Sequence, residues 1–64
     1  MTMFYLLTKD TETARKLEGF SHLRKGAEGE QNKVFFRATS QFRAESAARK
    51  AFGCSKRVVQ SSAR

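Results

Sequence analysis

Two stretches of this chain share a pattern: Ala14-Arg-Lys-Leu-Glu-Gly19-Phe-Ser21 and Ala48-Arg-Lys-Ala-Phe-Gly53-Cys-Ser55 agree at five of eight positions, including Ala-Arg-Lys, the glycine and the serine. Each follows an apolar, aromatic run: Met3-Phe-Tyr-Leu-Leu before the first, Lys33-Val-Phe-Phe-Arg-Ala38 before the second. Such runs read as strands. A strand followed by a helix that a glycine stops, written twice, leaves few ways to fold 64 residues.

Strand one is expected at about 2–8. Asp10 or Thr11 then caps a helix with Glu12 in its first turn, Ala14 and Leu17 as a thin apolar stripe, and Gly19 as the stop. Phe20 to Lys25 reads either as a second strand or as a continuation of that helix; the repeat favours the strand, with Phe20 and His22 on one face and Ser21 with Leu23 on the other. Gly26 to Asn32, with two glycines and no apolar periodicity, is a loop. The third strand spans Lys33 to Ala38. A second helix, capped by Thr39 or Ser40, runs to Phe52 and ends at Gly53. Ala44, Ala47, Ala48, Ala51 and Phe52 share its buried face, opposite Arg43, Ser46, Arg49 and Lys50. Lys56 to Gln60 forms a final strand.

The expected fold is therefore α+β: a small split βαβ (ferredoxin-like, βαββαβ) domain with both helices on one face of an antiparallel sheet. The alternative is β-α-β-α-β with a longer first helix. The compact domain should cover residues 1–60, with 61–64 as a flexible tail. At this length stability is modest, and the single Cys54 and single His22 supply neither a disulfide nor a structural zinc site within one chain. The N-terminal run lacks the basic flank and cleavage site of a signal peptide and no stretch spans a membrane, so a cytoplasmic, reducing setting without membrane contact is expected.

Charge is distributed unequally. Residues 1–32 carry five basic and five acidic side chains, whereas residues 33–64 carry eight basic ones against Glu45 alone, so the whole net charge of +7 lies in the second half. Glu12 and Glu18 blunt Arg15 and Lys16, whereas Arg49 and Lys50 have only Glu45 nearby. A field of this kind attracts an anionic partner, nucleic acid (RNA slightly before DNA) or an acidic protein surface.

Catalytic chemistry finds little support: no spacing pairs His22 with Cys54, and Cys54 after a helix reads as a small buried hydrophobe. Gly26 and Gly29 precede a strand and have acidic neighbours, which excludes a phosphate loop there. No catalytic residue, metal ligand or cofactor is expected. Binding is the expected role, through Lys33, Phe35, Arg37, Phe42, Arg43, Arg49, Lys50, Lys56 and Arg57 on the second helix and adjacent strands.

The sheet face turned away from the helices should show Lys33, Phe35 and Arg37, joined by Tyr5 with Met3 and Leu7, by Phe20 and His22, and by Arg57 with Val59. Aromatic rings among cations make a stacking platform for single-stranded nucleic acid; the arrangement would be like an RNA-recognition sheet, without its signature of alternating glycines and aromatics. The apolar members of that face, Met3, Leu7 and Val59, tilt this particular surface toward protein, either the seam of a homodimer or the site of a partner that the chain regulates or inhibits. Phe42, near Arg49 on the wheel, reads as a staple folded back onto the strand end or as an exposed anchor.

Overall fold

The structure, a computed structural model, describes residues 1–61. Its elements are β1 (Thr2–Thr8), α1 (Thr11–Ala14), β2 (Phe20–Arg24), β3 (Asn32–Ala38), α2 (Gln41–Phe52) and β4 (Val58–Gln60). The four strands form one sheet in the order β2-β3-β1-β4, every neighbouring pair antiparallel. This is the split βαβ, ferredoxin-like arrangement in a small α+β domain. The Gly19 stop, rather than a long first helix, is what the chain adopts.

Alternation in the two central strands sets the layers. Phe4, Leu6 and Thr8 of β1 and Val34, Phe36 and Ala38 of β3 are buried, while the residues between them lie on the opposite, open face. The Phe4 and Phe36 rings meet at 6.3 Å. Ala44 and Ala48 are wholly buried and bring α2 close onto the sheet, and Ala14 and Leu17 close the same core from the first connection. Small side chains remove little apolar area from water, so the phenylalanines and leucines carry most of the burial.

The caps are built from side chains. The Asp10 carboxylate accepts from the Thr13 N–H at 3.1 Å and from the Thr13 hydroxyl at 2.6 Å. These bonds, the hydroxyl's first, hold the Asp10 carboxyl below its ordinary value of 3.8. Ser40 caps α2 by accepting from the Arg43 N–H at 3.2 Å, and Gly53 ends it in the left-handed region at φ 74°.

The first helix is shorter than expected. After one α-helical turn the bonds change to i→i−3, Lys16 to Thr13 and Leu17 to Ala14, and the chain turns at Gly19 with φ 81°. Two apolar positions, Ala14 and Leu17, bury only one turn's worth of surface, too little to sustain a longer helix. Both glycines of the repeat do adopt the left-handed conformation, but β2 begins directly after the first and β4 only at Val58 after the second. The expected start of the last strand at Lys56 is thus corrected by two residues.

β2 contains the main departure. Phe20 pairs with Phe36 and His22 with Phe35, so one extra residue is inserted between Phe20 and His22. Phe20 and Leu23, three residues apart, would face opposite ways in an unbroken strand. The bulge lets both pack against the core, which removes Phe20 from the open face where it was expected.

Of the expected tail, 62–64 lies outside the described residues, while Ser61 donates its N–H to the Met3 carbonyl at 2.9 Å and so extends the edge pairing instead of fraying. No helix among the described residues is long and apolar enough to cross a membrane.

Candidate nucleic-acid interface

Strand pairing places one residue from each of the four strands in a row across the open face: His22 opposite Phe35, Phe35 opposite Tyr5, and Tyr5 opposite Val59. The His22 ring lies flat on Phe35, with centroids 4.6 Å apart and planes 10° from parallel. Tyr5 and Phe35 meet at 5.7 Å with an interplanar angle of 45°. Each such cross-strand pair fixes its partners' rotamers, so the row is preorganised. Ser21 Oγ lies 3.0 Å from His22 Nδ1 and steadies the imidazole on the bulge that created its position.

Cations flank the row. On one side Lys33 sits opposite both Arg24 and Leu7, with its Nζ 4.9 Å from the centre of the Tyr5 ring. On the other, Arg37 pairs with Met3. The paired strand positions on this face are Met3, Tyr5, Leu7, His22, Arg24, Lys33, Phe35, Arg37 and Val59, none of them acidic, and Glu30 of the loop between β2 and β3 lines a pocket at its edge with Leu7, Arg24 and Lys33. Arg24 and Lys33, directly opposed with like charge, repel each other across the strands. An anion placed between them would remove that cost.

The residues named from the sequence divide among three surfaces. Lys33, Phe35, Tyr5, Leu7 and Val59 share the open face, with Arg37 at its margin. Phe42, Arg49, Lys56 and Arg57 line a groove along one flank of α2 with Glu45, Ser46 and Ser55. Arg43 and Lys50 lie on the other flank, in a cleft with Glu18, Gly19 and Arg37. The second helix therefore offers its cations on two sides rather than as one stripe. Lys56 packs over the Phe52 ring at 5.2 Å and is half-buried.

Two further expectations change. Phe42 is 73% exposed and is not a staple: it occupies the second position of α2, where its neighbours in the groove are polar. Gln41, beside it, donates to the Val58 carbonyl at 2.8 Å and to Glu45 at 3.1 Å, which ties α2 to β4 and leaves the amide engaged. Cys54 is exposed, because the Gly53 cap turns the chain away from the helix into the loop that leads to β4.

The sequence puts His22 on the open face beside Phe20, and the structure keeps it there, whereas Arg24 of the same face went unnamed. Alternation from His22 puts Arg24 on that face as well, and the register sets the two opposite Phe35 and Lys33; what alternation does not reveal is the bulge that turns Phe20 away. Among the described residues no cluster of three or more His, Cys, Asp or Glu side chains is placed to hold a metal ion. Compared with known proteins, the chain matches no family model, no curated protein and no solved structure.

Proposed function

We propose that this chain binds single-stranded nucleic acid on the open face of its sheet, as a binding module without catalysis. One observation carries the reading: the stacked row His22, Phe35, Tyr5, bordered by the directly opposed cations Arg24 and Lys33, with Glu30 the one carboxylate lining the pocket beside that pair. Bases stack on aromatic rings with about 1 to 3 kcal/mol each, and the cations neutralise phosphates. Two or three bases fit such a sheet. The exposed free thiol of Cys54 suits a reducing, cytoplasmic setting.

A homodimer through the same face would cover Leu7, which is 45% exposed, together with Met3 and Val59. Stacking two copies, however, would bury Arg24, Lys33 and Arg37 of each in one seam, six cations with Glu30 of each copy as the acid beside them. The charge pattern favours an anionic strand.

The test is fluorescence anisotropy with labelled single-stranded RNA, single-stranded DNA and duplex DNA at roughly 50 and 200 mM salt. Single strands should bind, more weakly at the higher salt, and duplex poorly because its bases are already stacked. Absence of single-strand binding, or equal affinity for duplex, overturns the proposal.

A further inference from the structure

Arg37 belongs to two surfaces at once. On β3 it is two residues beyond Phe35, about 7 Å along the strand, and it occupies the same open face. It also lines the cleft between α2 and the turn before β2, together with Arg43, Lys50, Thr39, Glu18 and Gly19. The sheet ends there, since Ala38 is the last residue of β3 and Gln41 the first of α2. The molecule's shortest dimension is 17 Å, so a chain leaving the platform past Arg37 reaches the helical side within a few nucleotides.

Three cations line that route against one carboxylate, Glu18. All of Arg37, Arg43 and Lys50 are exposed. The opposite flank of α2 has as many cations, Arg49, Lys56 and Arg57, but none of them belongs to the open face described by the strand pairing.

We infer that a bound single strand continues from the aromatic row around the end of β3, past Arg37, into the cleft formed by Arg43 and Lys50, which hold its phosphates. This rests on the platform reading of the open face and specifies how the strand leaves it. The cleft reads backbone charge, not base identity.

The experiment compares an RNA of about four nucleotides, enough for the platform, with one of about nine, both within the site size of a small single-strand-binding domain. The longer RNA should bind more tightly and with a steeper salt dependence. Replacing Arg43 and Lys50 together by Ala removes two phosphate contacts. For the longer RNA the ratio of affinities at roughly 50 and 200 mM salt should then shrink about 7-fold, from a slope change of about 0.7 per contact. Binding of the short RNA should not change. The control R49A with R57A removes equal charge from the other flank and should leave the slope for both RNAs as it was. Glu18→Gln should strengthen the longer complex only.

If the control pair weakens the longer RNA as much as the cleft pair does, the charge acts at long range and the path is refuted. If the short RNA binds and the longer one gains nothing, the path is refuted while the platform stands. If neither binds, both fall.

Discussion

Phe35 and Phe36 are adjacent in sequence and face opposite sides of the sheet, so truncating each to Ala separates binding from folding. Phe36 is wholly buried against Phe4, and its loss should cost about 3 to 5 kcal/mol. A chain of 64 residues has roughly 3 to 10 kcal/mol of total stability, at about 0.05 to 0.15 per residue. Phe36→Ala should therefore leave much of the population unfolded. Phe35 is half-buried and makes cross-strand pairs with Tyr5 and His22. At about 0.2 to 1 kcal/mol per pair, Phe35→Ala should cost roughly 0.4 to 2 kcal/mol and remain folded. It also loses the central stacking surface, which at about 1 to 3 kcal/mol per base weakens single-strand binding roughly 5- to 150-fold. Urea denaturation followed by circular dichroism measures the first quantity and anisotropy titration the second. Phe35→Leu, which keeps most of the apolar bulk without the ring, guards against the case in which Ala destabilises too far. A folded Phe35→Leu protein that binds RNA as tightly as the parent would refute the stacking account.

Gly19→Ala should destabilise by more than about 1 kcal/mol, since φ is 81° and an added Cβ would run into the Arg37 carbonyl; a denaturation midpoint equal to the parent's would contradict the close approach. The Asp10 cap should show in the pH dependence of Tm. Because its folded pKa lies below the ordinary 3.8, its contribution is present above that value and lost as pH falls through the folded one. The gap in Tm between the parent and Asp10→Ala should accordingly be largest near neutral pH and close in strong acid. Phe42→Ser, at a 73% exposed position on the helical side, should change stability by less than about 0.5 kcal/mol and leave binding of a short single strand unaltered, checked by the same two assays.

What could be read before the structure follows from how local each signal is. β1, β3 and α2 each pair a plain local pattern with a local terminator: apolar, aromatic runs in the strands, the alanine face bounded by Ser40 and Gly53 in the helix. Their limits agree with expectation to within a residue. α1 had only Ala14 and Leu17 to define it, and the chain kept both buried with a single helical turn and looser turns after it. The bulge in β2 could not be anticipated from alternation, because its cause is tertiary: Phe20 and Leu23 both find the core only if a residue is inserted between them. That insertion also decided the site, turning Phe20 inward and leaving His22 to complete the aromatic row. The basic half was legible as a charge excess, yet its division among the open face and the two flanks of α2 depends on packing that sequence position does not encode.

Amide and aromatic chemical-shift mapping during titration with a short single-stranded RNA tests the central claim most directly. The account predicts that Tyr5, His22, Lys33 and Phe35, with their strand neighbours, shift in proportion to RNA added, while Ala44 and Ala48 on the buried face of α2 stay in place. Shifts confined to Phe42, Arg49 and Arg57 along the helix, with the aromatic row unmoved, would contradict it.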